Sequence, residues 1–434
     1  MSDAKDALTV VICSDFAAVQ GGQAKVAIES AIGLKRQGHH VVFFAASGAA
    51  DPRLAAAGIE VHCLDQFDIL ANPSRRAAFT QGIWNHAAAA ALEELLAQMP
   101  RGRTVVHVHG WAKALSPLIG RPIARSGLPA VFTLHEYFMF CPNGGFYDYQ
   151  KSEICRRKPL SLDCCATHCD ARSYLHKLWR VGRLVYAQKI VHLADIFGDF
   201  IAVSKFQDHI VAPFIPPGAR LHRLSNPVNV RDLGPKPNPA SGEFLFVGRL
   251  SAEKGAFLFA EAARKVGFAP VFVGDGPIAA ELAVCYPEAR ILGWQEPEEV
   301  HRLLRSARAL VFPSLWYEGQ PLTVLEAKAL GVPVVVADQC AGRDEIEDGV
   351  SGLWFKSGDA NDLARALSKL NDDAKVAAMS QAAYVSYWSN PRTLDQHTAG
   401  LLRIYRGSLE RHGAPTFDTP VAAEDAEILH LQAG

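Results

Sequence analysis

Charge of one sign is scarce in this sequence: 44 Lys and Arg stand against 45 Asp and Glu over 434 residues. Proteins that grip nucleic acid usually carry a strong basic surplus, so the composition points to no nucleic-acid partner. Long apolar runs are missing as well. None approaches the ~18 residues that a membrane-spanning helix needs. The amino terminus, MSDAKDALTVVICSDF, has no basic segment before its apolar one and runs straight into LTVVIC. That is not the make-up of a secretory signal. A cytoplasmic protein is the resulting expectation. Its nine cysteines should then be reduced thiols or metal ligands rather than disulfides. Two further absences concern phosphate. No G-K-[S/T] follows the paired glycines Gly21 and Gly22, so they do not open a P-loop. No D-x-D triplet occurs anywhere, which argues against a diphosphate held through an aspartate-bound metal.

What is present is a repeated alternation. Apolar runs such as LTVVIC, HVVFFA, TVVHVHG, AVFTLH and DFIAVS are separated by amphipathic stretches. Runs that are apolar throughout and alternate with helices read as parallel strands buried on both faces. They predict a doubly wound α/β domain over residues 1–228, with a Cys-rich loop at 141–169. Residues 226–242, NPVNVRDLGPKPNPASG, are rich in Pro, Gly and Asn and read as a linker. A second α/β series, EFLFVGRL, PVFVGDG, RILGW, ALVFPS and PVVVAD, predicts another such domain over 243–385. The segment 374–410 reads as helical, and its part 386–410 could return to the first domain. Residues 411–434 carry little periodicity and read as a mobile tail. The expected fold is thus α/β, two Rossmann-like parallel-sheet domains facing a central cleft. Ligands of such sheets bind beyond the carboxyl ends of the strands, and the motifs fall there.

In FPSLWYEGQPLTVLEA, Glu318 lies in a loop after a strand and Glu326 about one turn inside the next helix. Pro321 suits the first helical position. The amides of Leu322 and Thr323 are then first-turn donors without helical partners, an anion site. Carboxylates beside it would serve to accept hydrogen bonds from sugar or ribose hydroxyls. The plainer reading is one solvent-facing Glu and one on a helix face. In FVGRLSAEKG, Arg249 and Lys254 follow a strand and suit a diphosphate, or form an exposed loop pair. Gly21 and Gly22 let backbone amides approach a ligand. His135, at a strand's carboxyl end, could donate to a substrate hydroxyl or be structural. His107 and His109 alternate on one strand and favour packing or hydrogen bonding.

The ordered set GGQAKVAIES, TLHEY, GRL…EKG, VGDGP, FPSLWYEGQPLTVLEA, GVPVVVAD and DGVSGLWF resembles glycosyltransferase family 4, retaining nucleotide-sugar enzymes of the GT-B fold. The resemblance is dense over 243–370 and thinner before it. It implies that Glu318 holds the donor sugar's hydroxyls, Glu326 the ribose, and Arg249 and Lys254 the diphosphate. It places Gly21, Gly22, Leu322 and Thr323 near the distal phosphate, Gly293 and Trp294 along the base, and His135 near the anomeric carbon. It implies no required cofactor beyond the nucleotide sugar as co-substrate, and a glycan or lipid-linked acceptor. The chain departs from the family pattern at Glu136, at Gln320 and Pro321, which change what reaches the sugar, and at Asn226 to Asn229. A nucleotide-sugar epimerase of the same fold and a non-catalytic sensor are the competing readings.

Two segments stand outside this scheme. Cys141, Cys155, Cys164, Cys165 and Cys169 crowd one loop. Cys155, Cys164, Cys165 and Cys169 could bind a structural zinc or remain reduced thiols. Residues 171–197 are basic and amphipathic; they could touch an anionic membrane at its inner face or form an ordinary helix with a solvated side.

Overall fold

The computed structural model describes residues 7–413. Its framework is two all-parallel sheets. Strands β1 (Thr9–Phe16), β2 (His40–Ser47), β3 (Glu60–Gln66), β4 (Thr104–Val108) and β5 (Ala130–Leu134) begin the first. A small antiparallel hairpin, β6 (Tyr147–Asp148) and β7 (Glu153–Ile154), interrupts it within the Cys-rich loop. Then β8 (Asp199–Ala202) and β9 (Arg220–Arg223) complete seven strands in the order β3-β2-β1-β4-β5-β8-β9. The second sheet holds β10 (Phe244–Val247), β11 (Val271–Val273), β12 (Arg290–Ile291), β13 (Ala309–Phe312), β14 (Val334–Ala337) and β15 (Gly352–Phe355). Its order is β12-β11-β10-β13-β14-β15. Each sheet winds outward in two directions, reversing between β1 and β4 in one and between β10 and β13 in the other. Ligand crevices form at such reversals.

The central strands are apolar because both of their faces are covered. Every residue of β1, β10, β13 and β14 is buried. The edge strands β3 and β9, EVHCLDQ and RLHR, were not expected from the sequence. An edge strand has one flank in water and tolerates charge, so its apolar signal is weak.

Glycines set the close approaches in the second lobe. Gly255 has φ +73°, and a Cβ there would lie 2.1 Å from the Pro313 carbonyl oxygen. That contact seats the loop after β10 on the end of β13.

The helical stretch expected over 374–410 is broken. One helix runs Asp373–Trp388 and a second Leu394–Arg411, with Pro391 in the gap and Thr393 capping the second. Proline cannot continue the first helix. The second helix packs on the first lobe. Leu401, Tyr405 and Leu409 join the core formed by β1, β2 and the helix Gly22–Arg36. Arg411 pairs with the buried Asp199 of β8 at 2.5 Å. The segment between β9 and β10 has neither helix nor strand. It is pinned to the second lobe by Lys236, whose Nζ donates to the Ala307 carbonyl at 2.6 Å. The tail expected over 411–434 falls, beyond residue 413, outside the described residues.

Candidate active site

The expected site residues come from both lobes. After β13 the chain leaves regular structure and bends at Trp316, where the Glu318 amide donates to the Trp316 carbonyl, and Ser314, Trp316 and Glu318 turn toward one another. Oε1 of Glu318 accepts from Ser314 Oγ at 2.9 Å, from Trp316 Nε1 at 2.8 Å and from Lys254 Nζ at 2.5 Å. Lys254 also lies 5.4 Å from the Trp316 ring centroid. One carboxylate oxygen is thus saturated, and no protein donor is recorded on Oε2 among the described residues. Arg249 is exposed, and no hydrogen bond or ion pair of its guanidinium is recorded there.

The helix Leu322–Ala329 starts one residue later than expected. Pro321 is its N-cap, with φ −78° and ψ 104°, and no side chain caps it. The amides of Leu322 and Thr323 therefore keep no acceptor inside the helix. Glu326 is buried, and its Oε1 lies 3.9 Å from Lys25 Nζ and 3.9 Å from His301 Nε2. Lys25 belongs to the first lobe, in the first turn of the helix that Gly21 precedes. This contact brings Gly21 and Gly22 opposite the Glu326 helix. Gly21 has φ +107°, and nothing lies within 4 Å of a Cβ built on either glycine.

Glu318 sits beside the end of β5. A Cβ on Gly319 would lie 3.6 Å from the His135 carbonyl oxygen and 3.0 Å from Gln207 Nε2. Ser204 Oγ donates to the Gly319 carbonyl at 2.6 Å. His135 Nε2 lies 2.9 Å from His109 Nδ1. His107 is held between Tyr405 OH at 2.6 Å and Thr133 Oγ1 at 2.7 Å. Burial drives the pKa of His135 down to about 3. Burial, and then repulsion from neighbouring histidines, drives His107 and His109 well below the usual value. All three are neutral at pH 7. His109 Nε2 is buried with no partner among the described residues. A buried N–H without an acceptor is costlier than a bare lone pair. The proton of His109 therefore sits on Nδ1 and is donated to His135 Nε2, which leaves the His135 proton on Nδ1. His135 thus offers a donor.

The remaining candidate residues lie as follows. Gln320 does not face the gap freely: its Oε1 accepts from the Asn226 amide at 2.7 Å, tying the loop to the linker. Trp294 is 68% exposed and makes no recorded contact with the other site residues. Gly293 instead stitches the sheet, its carbonyl accepting from the Gly274 amide at 2.8 Å. Nor do the loop thiols form a ligand set. Among the described residues no group of three His, Cys, Asp or Glu could hold a metal ion.

A family model described as Glycosyltransferase Family 4 matches residues 20–232, and one described as Glycosyl transferases group 1 matches residues 241–373. The chain belongs to glycosyltransferase family 4. It is a hexosyltransferase-type glycosyltransferase with the GT-B fold. It is 27% identical over 299 residues to the Escherichia coli UDP-Gal:alpha-D-GlcNAc-diphosphoundecaprenol alpha-1,3-galactosyltransferase, covering 64% of this chain and 68% of that one. It is 36% identical over 146 residues to the N,N'-diacetylbacillosaminyl-diphospho-undecaprenol alpha-1,3-N-acetylgalactosaminyltransferase of Campylobacter jejuni, covering 30% and 36%. In fold it resembles a glycosyltransferase from Rickettsia africae, with TM-score 0.65, 16% identity and coverage of 93% and 99%. It also resembles Anabaena HepE in complex with UDP-glucose, with TM-score 0.63, 15% identity and coverage of 92% and 100%.

In this family 4 enzyme, sequence reasoning missed Lys25, His301, Ser314 and Trp316. The last two had a signal. S-x-W-x-E after a strand puts alternate side chains on one face. Lys25 and His301 had none, because their contacts cross between elements distant in sequence.

Proposed function

We propose that this enzyme transfers a hexosyl unit, with retention of configuration, from a nucleotide sugar to a lipid-linked or glycan acceptor in polysaccharide or glycoconjugate synthesis. The observation that carries the reading is the set facing the gap. Among the described residues the Arg249 guanidinium and the Leu322 and Thr323 amides have no recorded partner, Glu318 keeps Oε2 open, and the adjoining Gly319 lies against the His135 carbonyl. The acceptor class draws support from the Escherichia coli and Campylobacter jejuni relatives, whose names both specify diphospholipid-linked sugars.

Breaking the sugar–phosphate bond builds negative charge on the leaving diphosphate and positive charge on the sugar ring. Arg249, Lys254 and the two helix amides stabilise the diphosphate without a metal. Each well-placed donor of this kind is worth about 3 kcal/mol at the transition state. Glu318 Oε2 accepts from hydroxyls of the donor sugar, and Lys254, Ser314 and Trp316 hold it in place. Glu326 accepts from the ribose. His135 donates through Nδ1 to a sugar oxygen, and a proton on that atom bars it from acting there as a base. The acceptor's proton then goes to a donor phosphate oxygen, as front-face attack requires.

The assay is release of nucleoside diphosphate from a panel of nucleotide sugars with and without diphospholipid-linked acceptors. Acceptor-dependent release is expected, and Glu318→Gln and His135→Ala should each lower it 100-fold or so. Acceptor-independent isomerisation would favour an epimerase, and unchanged turnover in both variants would remove the assignment.

No helix among the described residues is long and apolar enough to cross a membrane. We place the enzyme at the membrane surface through one face of its first lobe. Phe67, Phe79 and Trp84 are 58%, 51% and 41% exposed, and Leu175 is 78% exposed. Phe79 lies 6.0 Å from Trp179, and Trp84 lies 5.7 Å from Tyr186, so the face is continuous. Arg75, Arg76, Arg172 and Lys189 are exposed around it. Lys177 and Arg183 of the same segment are buried. Aromatic side chains with a basic rim suit an anionic bilayer. Co-sedimentation with anionic vesicles should fall sharply in a Phe79→Ser, Trp84→Ser double variant; undiminished binding would refute the surface.

A further inference from the structure

Beside the Cys-rich loop lies a buried lysine whose recorded partners are all sulfur. Lys177 lies in the helix Tyr174–Val185 and is 1% exposed. Its Nζ donates to Cys169 Sγ at 3.1 Å and to Cys164 Sγ at 3.6 Å. The nearest carboxylate in sequence, Asp170, is engaged elsewhere, with Arg180 at 3.2 Å and His176 at 3.7 Å. A buried ammonium needs a countercharge, and among the described residues its recorded partners are thiols. Lys177 therefore holds its ammonium against a sulfur, and loss of one proton gives a second form, amine beside thiol. In the second form a nitrogen lone pair and a thiol sulfur lie in contact, away from water.

We propose that Cys169 and Lys177 are a covalent modification site, where a peroxide joins them through one oxygen atom as an N–O–S bridge. The first step is Cys169–SH + H2O2 → Cys169–SOH + H2O. The second is Cys169–SOH + Lys177–NH2 + H2O2 → Cys169–S–O–NH–Lys177 + H2O + H2O. The S–H bond and one N–H bond are lost, and S–O and N–O bonds form. Sulfur and nitrogen each give up two electrons, and the two peroxides take all four. The contact of Cys169 with Lys177 carries this product, and a Cys164–Cys169 disulfide is the competing outcome. One bridging oxygen nearly spans the present gap between Nζ and Sγ. A Cys164–Cys169 disulfide would need its sulfurs about 2 Å apart, although both now lie against the same lysine nitrogen. Cys169, the closer sulfur, is the partner.

The site adjoins the candidate active site. A Cβ on Gly145, in the same loop, would lie 2.8 Å from the Trp316 ring, and Trp316 donates to Glu318. A bridge from Cys169 to the Lys177 helix would pin this loop over Trp316. The inference rests on the loop's own geometry and stands apart from the choice of donor and acceptor.

The test treats the full-length protein with hydrogen peroxide, then alkylates, digests and maps it by mass spectrometry. The expected product is a peptide pair joining Cys169 to Lys177, heavier than its parts by one oxygen less two hydrogens. It should resist trypsin at Lys177, vanish on reduction with dithiothreitol and be absent from Cys169→Ser. Lys177→Arg keeps the charge but should leave Cys169 unbridged. Because the wild-type map is itself decisive, a poorly folding variant does not spoil the test. A Cys164–Cys169 disulfide, a direct S–N link lighter by two hydrogens, or Cys169 recovered unlinked would each overturn the proposal.

Discussion

Glu318 shows what single residues contribute. Its Oε1 collects three donors while Oε2 stays open, so the carboxylate is oriented before any ligand arrives. Such preorganisation is where enzymes gain most of their electrostatic stabilisation. The Glu318–Glu326 spacing was legible because it follows a strand and spans a helix start. The side-chain partners were only half legible: Ser314 and Trp316 carried an alternation signal, and Lys25 carried none. The bond that Gln320 accepts from the Asn226 amide of the linker was not legible, because no local pattern records it. At this scale the tautomer of His135 is the sharpest expectation. His109→Phe removes the N–H that fixes it and should lower turnover about tenfold, the worth of one hydrogen bond. His109→Asn, whose amide can still donate, should keep most of the rate. Equal turnover in the two variants, measured with saturating substrates, would remove the tautomer assignment.

Among elements, the strands that were easiest to read are those buried on both faces, because their composition is apolar whatever their neighbours do. The edge strands β3 and β9 carry polar residues and escaped notice. So did the break at Pro391, because helical periodicity continues on either side of it, although the return of 386–410 to the first lobe was anticipated. That return matters. The helix Leu394–Arg411 brings Tyr405 to His107, and His397 to Ser30 Oγ at 2.9 Å. These contacts bind β4, the helix Gly22–Arg36 and the final helix into one unit of neutral histidines. Burial lowers His397 to about 4 and His135 to about 3, from an ordinary 6.5. Unfolding lets both take protons below pH 6.5, so their contribution is whole above that pH and is lost as the pH falls. Stability should drop by about 1.4 kcal/mol per pH unit for each histidine between pH 6.5 and 4. Denaturant melts across that range check it, and a flat profile would contradict the burial of neutral rings. His397→Asn should flatten part of the slope.

For the molecule as a whole, two sheets reverse their winding at β1/β4 and β10/β13, and the site spans the two reversals. The alternation of apolar runs and the Pro-rich linker made this architecture legible from sequence. The closeness of the lobes was not legible. Lys25 against Glu326 and Ser204 against Gly319 are contacts between segments hundreds or more than a hundred residues apart. The central claim is that fixed protein cations and helix amides, without a divalent ion, hold a nucleoside diphosphate in that gap. Calorimetric titration of UDP and GDP into wild type and Arg249→Ala, with a chelator present, tests it most directly. Binding of at least one nucleotide that survives chelation and weakens tenfold or more in the variant is the predicted result. Chelator-sensitive binding, or equal affinity in the two proteins, would contradict it.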